Sequence, residues 1–321
     1  MSGMKGLPSL GVKLVGNLSS VGFFTFIYSN QQDSLSVSYK NRDSERSVVL
    51  TVLSLSFVIG IPGNSIVIWT ICGKMKQRSP TVLLILNLAI SDILVLVTLP
   101  IWIYSFANTW LLGVIICKIL VSVVHCGMYA SVFLITTLSL ERFMAMFYPF
   151  VLQRWKNQAV ILKVVFLIWL FSIAFGASII PFQELQERDI GRNYASDQQE
   201  VLCLLLETLV GFVIPFIIIS ICYVCVGRRI STMTCSSRQR SARLIASVVV
   251  AFAVCWLPHH VFNIIEIVSI QIKVSNQNMS LVLHEVSEMG VYISGSLPFI
   301  SSCINPLLYA FAARNFQSHL R

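Results

Sequence analysis

The sequence predicts an all-α membrane protein with a bundle of seven transmembrane helices. Hydrophobic residues make up 56% of the 321 residues and charged residues only 12%, whereas an average soluble domain carries about 25% charged residues. This composition excludes a soluble globular protein. Seven apolar stretches are long enough to cross a bilayer core of about 30 Å, which takes about 20 helical residues. We name them spans 1 to 7 in chain order; they lie near 47–72, 81–107, 114–146, 159–182, 200–227, 241–270 and 286–311.

The basic residues predict which loops face the cytoplasm. Fourteen of the 23 Lys and Arg residues fall in or beside the loops of one side, and Glu141 is the acid that accompanies them. Because cytoplasmic loops are enriched in Lys and Arg, the N-terminus is predicted outside and the C-terminus inside. The sequons at Asn17 and Asn278 then lie outside, where glycosylation occurs. We therefore divide the chain into an extracellular tail, residues 1–46, and a transmembrane domain, residues 47–312.

Asp92 lies in the middle of span 2, where an ionisable side chain costs about 2.5–3.5 kcal/mol on insertion scales. Two interpretations are open. Asp92 is either a protonated carboxyl group hydrogen-bonded within the bundle, or an acid that coordinates a cation. In the second case it would face the polar side chains of Ser131, Ser301, Ser302 and Asn305.

Span 7 contains the sequence SSCINPLLYAF, in which Asn305 and Pro306 are adjacent. A proline inside a helix removes one backbone hydrogen bond and costs about 3 kcal/mol or more. In membrane helices, neighbouring side chains or water satisfy the backbone groups that the proline frees. A helix interrupted in this way is kinked, and such a kink suits a hinge between two packing arrangements.

Further motifs occur in a fixed order along the seven spans. They are Gly63-Asn64, Asn87 to Asp92, Cys117, Glu141-Arg142-Phe143, Trp169, Pro215, Tyr223, Cys255 to Pro258, Asn305 to Tyr309, and Phe316 after Arg314-Asn315. Together they resemble the motifs of rhodopsin-like (class A) G-protein-coupled receptors over residues 47–320. Residues 313–321 resemble the start of the short amphipathic eighth helix of that family.

The resemblance implies a receptor of the plasma membrane that activates a heterotrimeric G protein, with the inhibitory class favoured. It also implies an allosteric sodium ion held by Asp92, Ser131, Ser301, Ser302 and Asn305. Arg142 is expected to pair with Glu141 at rest and to contact the G protein on activation. The activation switch implied by the family comprises Glu141, Arg142, Tyr223, Trp256, Pro258, Asn305, Pro306 and Tyr309.

Within this family, several stretches are similar to the leukotriene B4 receptors of the chemoattractant group, among them LLLETLVGFVIPF and CWLPHHVFNIIE. This similarity implies an extracellular lipid mediator as ligand. The implied pocket comprises His125, Tyr129, Glu207, His259, His260 and Asn263. Gln183 and Val291 stand where those receptors carry arginine, so a peptide or other chemoattractant ligand remains an alternative, as does a non-signalling scavenger receptor.

Three residues have two interpretations each. In the family, Cys117 forms a disulfide with the second extracellular loop, but Ile190 occupies the aligned position; the partner is Cys203, or Cys117 is a free thiol near the surface. His125 faces the pocket or bonds to a backbone carbonyl group. Glu266 is expected to be a hydrated helix end rather than a ligand contact.

Other functional classes are not favoured by the sequence. Transporters and channels typically show internal repeats or paired broken helices, and no repeat of fixed period is visible. An enzyme would need a nucleophile and base or a metal cluster, and the sequence shows neither. We therefore predict a receptor without enzymatic activity.

Overall fold

The computed structural model describes residues 35–75, 79–108, 110, 112–151, 158–186, 189–231 and 238–306. Side chains are described throughout these ranges except at 35–45, 158, 184–192, 230–231 and 238–248. Three predictions fall on residues outside this part of the chain: the sequon at Asn17, the switch residue Tyr309 and the eighth helix at 313–321.

Helices form at all seven predicted spans. Spans 1 to 6 each contain a helix of sufficient length and hydropathy to cross a membrane. The helices are Leu35–Lys74 in span 1, Pro80–Leu96 and Leu99–Ala107 in span 2, Gly113–Phe147 in span 3, Gln158–Ala177 in span 4, Asp197–Thr208 and Ile214–Ser231 in span 5, Arg238–Ile272 in span 6, and Gln277–Ser294 followed by 297–306 in span 7.

Capping residues fix the start of three of these helices. Ser79, Ser196 and Asn276 each accept a hydrogen bond from a backbone N–H three residues later. These side chains satisfy an N–H group that has no partner within the helix. The helix that begins after the cap at Asn276 starts nine residues before the predicted boundary of span 7. The polar residues that precede this boundary form the first turns of the helix instead of a loop.

Span 2 is interrupted at Val97 and Thr98. Pro100 follows at the second position of the next helix and has no N–H group to donate. The Thr98 hydroxyl group donates to the Val95 carbonyl oxygen at 2.7 Å, and the Ile101 N–H donates to the Thr98 carbonyl oxygen at 3.1 Å. The outer part of span 2 is therefore a separate short helix.

Span 5 contains one wide turn of π-helix, Leu209–Val213. Pro215 lacks the N–H group that would bond to the Gly211 carbonyl oxygen in a regular α-helix. The Ile214 N–H instead donates to the Leu209 carbonyl oxygen, five residues back. This turn sets the direction in which Glu207 and Thr208 point, just outside it, relative to the rest of span 5.

The interior of the bundle consists of an outer and an inner apolar cluster. The outer cluster is centred on Trp102 and Phe299 and includes Cys117. The inner cluster includes Leu84, Leu134 and Phe252 and ends at Trp256. Large apolar side chains such as those of Val58, Ile66, Trp69 and Phe166 are exposed on the outside of the bundle, as expected where lipid replaces water.

The loop after span 4 contains a short hairpin, and the rest of the described chain has the predicted all-α architecture. After span 4 and a short 3₁₀ turn, Ile180–Phe182, strand β1 (Gln183–Gln186) pairs with the antiparallel strand β2 (Asp189–Arg192). Leu185 pairs with Ile190 in this register. The hairpin lies in the second extracellular loop between spans 4 and 5.

Candidate functional site

One face of span 6 carries most of the polar side chains of the outer pocket. Trp256, His259, His260 and Asn263 follow the helical spacing that brings residues to one side. Each is less than a tenth exposed. The predicted pocket residues on span 6 are thus buried side by side, one turn above the inner apolar cluster.

Glu207 of span 5 joins this face. Its Oε1 lies 3.0 Å from Nε2 of His259. Both side chains are largely buried, at 16% and 8% exposure. A carboxylate–imidazole contact in such surroundings is a charge-assisted hydrogen bond when His259 donates, and it ties the outer halves of spans 5 and 6 together.

His260 packs between spans 3 and 5. Its ring stacks on Phe212 with centroids 5.2 Å apart, and its Nδ1 lies 3.4 Å from the Thr208 hydroxyl oxygen. A Cβ atom added to Gly211 would lie 3.5 Å from the His260 ring and 3.6 Å from the Tyr129 ring. His260 and Tyr129 therefore meet at Gly211, so the structure brings these two predicted pocket residues together.

Several buried polar atoms on this face have no hydrogen-bond partner among the described residues. They are Nε1 of Trp256, Nδ1 of His259, Nε2 of His260, Nδ2 of Asn263 and, from span 7, the Ser294 hydroxyl oxygen. More than about 90% of buried polar groups in proteins are satisfied. Such a concentration of unsatisfied donors and acceptors indicates a place where a polar ligand group or water binds.

His125 lies in span 3 with its Nδ1 2.8 Å from the Val121 carbonyl oxygen. Of the two predicted alternatives for His125, a place in the pocket or a bond to a backbone carbonyl group, the structure shows the second contact. Tyr129, one turn further along, packs its ring against Phe175 and Phe133 with centroids 5.3 and 6.0 Å away. These rings make the wall of the pocket near spans 3 and 4 apolar.

The inner polar network is centred on Asp92, which is fully buried. Its Oδ1 accepts a hydrogen bond from Ser131 and its Oδ2 one from Asn305, both at 2.9 Å. Ser302 also lies beside the carboxyl group, and Ser131 contacts Ser91 at 2.9 Å. Ser301 is buried on the same segment of span 7. Four of the five predicted sodium ligands thus meet at one point.

This network fits a small hard cation. Its side chains offer carboxylate, hydroxyl and amide oxygens, the donors that such cations prefer. The side chains acting on Asp92 are Asn305, Ser131 and Ser302, which are all uncharged. A buried carboxylate without a positive partner favours binding either a proton or a cation. Both interpretations from the sequence analysis are compatible with this geometry.

The Asn-Pro pair of span 7 is held by span 1. Pro306 cannot donate to the Ser302 carbonyl oxygen, and Asn64 donates its Nδ2 to that oxygen at 2.9 Å. The same amide group donates to the Gly60 carbonyl oxygen at 3.0 Å. A Cβ atom at Gly63 would lie 3.3 Å from the Pro306 ring, so span 7 packs closely on span 1 at its kink.

At the predicted cytoplasmic end, Nε of Arg142 lies 3.7 Å from Oε2 of Glu141. Thr81 of span 2 donates a hydrogen bond to the other oxygen of Glu141 at 2.9 Å. Tyr223 of span 5 faces Ser139 and Arg142. The predicted pairing of Glu141 with Arg142 is therefore present, and Thr81 is a further partner that the sequence analysis did not identify.

Cys117 does not form the disulfide considered for it. Its thiol is free and fully buried within the outer apolar cluster. The bond considered to Cys203, which lies on the outer helix of span 5, is therefore absent. The alternative of a free thiol near the surface was also wrong in its location, since the side chain is enclosed.

Glu266 is not the hydrated helix end that the sequence analysis expected. It is only 4% exposed, because span 7 starts earlier than predicted and covers it. Its carboxylate oxygens lie 2.8 and 3.0 Å from Nδ1 of His284, and it accepts a hydrogen bond from Ser287. Sequence reasoning missed this group, since His284 and Ser287 were placed at or before the start of span 7.

Comparison with known proteins gives the same architecture. The sequence profile of the 7 transmembrane receptor (rhodopsin family) matches residues 63–309. Human leukotriene B4 receptor 1 is 32% identical over 271 residues, which cover 83% of this chain and 76% of the relative. Mouse chemerin-like receptor 2 is 33% identical over 286 residues, covering 85% and 78%. The human type-2 angiotensin II receptor is 29% identical over 99% of this chain and 91% of its own.

A bundle of membrane-crossing helices with an outer pocket and an inner polar network defines a seven-helix membrane receptor. The chain belongs to the rhodopsin family of G-protein-coupled receptors. It is a multi-pass protein of the plasma membrane and a receptor rather than an enzyme, as predicted. Its partners are an extracellular ligand and a G protein, and it is related to the leukotriene B4 and chemerin-like receptors.

Proposed function

We propose that this receptor binds an extracellular lipid mediator similar to leukotriene B4 and activates a heterotrimeric G protein of the inhibitory class. The observation that carries the proposal is the set of unsatisfied buried polar atoms on Trp256, His259, His260 and Asn263. Ligand pockets are mostly apolar with a few polar groups that fix the ligand's orientation. The hydroxyl or carbonyl groups of an oxygenated lipid would satisfy these atoms.

The apolar part of such a ligand would lie against the aromatic wall next to these atoms. Phe212 stacks with Phe252, which in turn stacks on Trp256. Tyr129 and Phe175 continue this wall on the side of spans 3 and 4. A hydrocarbon chain buried here gains about 0.8 kcal/mol per CH₂ group.

A peptide ligand is the second candidate, and the charge of the pocket favours it. Gln183 and Val291, both buried, offer no positive charge at the positions considered for an acidic lipid. Glu207, in contact with His259, leaves the site negative when His259 is neutral. A neutral or cationic group would be bound there more readily than a carboxylate.

We also propose that a sodium ion binds at Asp92 in the resting receptor, with Ser131, Ser301, Ser302 and Asn305 around it. The ion would supply the positive charge that the neighbouring side chains lack. Asp92, Ser131 and Asn305 belong to spans 2, 3 and 7, so the ion would hold these three spans together. Release of the ion would free Asn305 and the hinge at Pro306 to change their packing.

Substitution of Asn263 by Ala tests the pocket. The Nδ2 group of Asn263 has no protein partner among the described residues, so its removal strands no donor or acceptor of the chain there. We expect a response about 2- to 12-fold weaker to the active compound from a panel of lipid and peptide chemoattractants, since one buried neutral hydrogen bond is worth about 0.5–1.5 kcal/mol. The measurement is a dose–response curve in cells with matched surface expression.

The control is Asn108→Ala. Asn108 is an exposed asparagine whose Nδ2 donates to the nearby Tyr104 carbonyl oxygen, so its loss should leave the curve unchanged. An Asn263→Ala receptor with the wild-type curve would contradict the proposed pocket. A response to peptides alone would favour the second candidate over the first.

A further inference from the structure

The outer halves of spans 6 and 7 are joined by a row of contacts. Ser269 and Ser280 each donate a hydroxyl hydrogen bond to the other's carbonyl oxygen, at 2.8 and 2.9 Å. One turn deeper in the bundle, Glu266 contacts His284 and Ser287. Because these contacts link the two helices directly, the loss of one contact changes the packing of span 6 against span 7.

His284 is the central residue of this row. Its Nδ1 lies 2.8 Å from Oε1 of Glu266 on span 6, and its Nε2 lies 3.4 Å from Oε1 of Glu288, one turn further along span 7. Nδ1 thus makes a hydrogen bond with Glu266, whereas Nε2 lies within ion-pair distance of Glu288 without a hydrogen bond to it. The ring is 25% exposed, so it can exchange protons with water.

This arrangement requires a particular protonation state. A neutral imidazole carries one N–H group and one lone pair, whereas an imidazolium carries two N–H groups. Only the imidazolium can direct a donor at each carboxylate. In the neutral ring, one nitrogen lone pair would face a carboxylate oxygen, and the two would repel each other. With both carboxylates ionised, the geometry favours the protonated ring.

We propose that His284, held between Glu266 and Glu288, is a proton-binding site through which the pH outside the cell controls the packing of spans 6 and 7. Histidine is the side chain whose ordinary titration falls between about pH 5 and 8. Proton binding strengthens two contacts at once, one within span 7 and one between the spans. Loss of the proton leaves Glu266 buried with Ser287 and without a positive partner in this row.

The other charged groups near this site are few among the described side chains. Glu285, the next residue of span 7, is exposed and acts on Glu288. Lys273 at the end of span 6 is paired with Asp197 of span 5 at 3.2 Å. From span 1, Arg46 donates to the carbonyl oxygens of Phe106 and Ala107 at the end of span 2. Lys273 and Arg46 thus have partners of their own.

The sign of the pH dependence follows from this geometry. The folded protein favours charged His284 more than the unfolded chain does, because only the folded protein places two carboxylates at the ring. The stabilisation is therefore complete at low pH and is lost as the pH rises through the titration of His284 in the folded protein. We expect the loss between mildly acidic and mildly alkaline pH, the range across which histidine ordinarily titrates.

The test uses the full-length receptor purified in detergent, with thermal unfolding followed by tryptophan fluorescence. Wild type should unfold a few degrees lower at pH 8.5 than at pH 5.5, because both contacts of His284 weaken when the proton leaves. His284→Gln should lose most of this difference. Glu285→Gln, which removes a neighbouring carboxylate that does not contact the ring, should keep it.

A His284→Gln receptor with the wild-type pH dependence would overturn the proposal. If that variant does not fold, Glu288→Gln tests the same proposal, because it removes one of the two carboxylates while leaving the histidine in place. Its pH dependence should then be centred at a lower pH than that of wild type. An unchanged centre would overturn the proposal equally, and neither outcome depends on which ligand the receptor binds.

Discussion

At the scale of single residues, Asn64 shows how one side chain compensates for a proline. It supplies the donor that Pro306 cannot supply to the Ser302 carbonyl oxygen. A buried carbonyl group that loses its partner costs about 1–3 kcal/mol. The strength of the hinge in span 7 therefore depends on a residue of span 1.

Substitution of Asn64 by Leu tests this role. Leu has a similar size and no donor, so we expect the purified receptor to lose about 1–3 kcal/mol of stability, measured as a lower midpoint of thermal unfolding. Thr51→Val is the control, because the Thr51 hydroxyl group bonds to the Ser47 carbonyl oxygen on an exposed surface of the same helix. Equal stability of Asn64→Leu and wild type would show that the Ser302 carbonyl oxygen has another donor.

The sequence allowed the functional residues to be predicted where a polar side chain lies within an apolar stretch. Asp92 and Asn305 stood out because each is costly in hydrocarbon, and the structure joins them at 2.9 Å. Glu207 and His259 were assigned to the pocket through resemblance, and they also meet. Glu266 and His284 could not be paired in advance, since each lies near a helix end where water was an equally good partner.

At the scale of helices, the contact between spans 6 and 7 depends on a glycine. A Cβ atom at Gly290 would lie 2.1 Å from the Phe262 ring, closer than any real contact. The absence of a side chain at Gly290 lets the ring of Phe262 lie directly on span 7. This close approach also places Glu266, one turn from Phe262, against His284.

Substitution of Gly290 by Ala should therefore destabilise the receptor by about 1–3 kcal/mol, the usual cost of overpacking. Gly227→Ala is the matched control, because a Cβ atom at this helical glycine meets nothing within 4 Å and Ala favours helix by up to about 1 kcal/mol. Thermal unfolding of the two purified variants gives the comparison. A Gly290→Ala receptor as stable as Gly227→Ala would mean that Phe262 moves aside at little cost.

Helix boundaries were predicted less well than helices. Apolar composition identified the core of every span, but spans 1 and 7 extend well beyond it, from Leu35 and Gln277. These extensions are polar, and hydropathy does not distinguish a polar helix end from a loop. The break at Val97 and the wide turn at Leu209 depend on hydrogen bonds around Pro100 and Pro215, which composition does not reveal.

At the scale of the whole molecule, a signal must pass from the outer pocket to Arg142 at the opposite end of span 3. Trp256 lies between the pocket and the inner apolar cluster, and the Asp92 network lies beside the route through spans 2, 3 and 7. In the structure, Arg142 is paired with Glu141. Activation in this family requires that this arginine become available to the G protein, as the resemblance implies.

Arg142→Ala should abolish the agonist-dependent nucleotide exchange that we expect wild type to catalyse on purified G protein of the proposed inhibitory class. The reason is the loss of the cation that, as the resemblance implies, would contact the G protein in the active state. Lys163→Ala, which removes an exposed basic side chain of span 4 on the same predicted side, should retain exchange. Exchange with both Arg142→Ala and wild type, or with neither, would contradict the proposed signalling mechanism.

The helix of span 1 runs from Leu35 to Lys74, 40 residues, which corresponds to about 60 Å of helix, twice the thickness of the bilayer core. About three helical turns precede Arg46 in the chain. The Arg46 side chain donates hydrogen bonds to two carbonyl oxygens at the end of span 2. Because Arg46 joins this helix to the end of span 2, a tilt of span 1 would displace the outer end of span 2 with it.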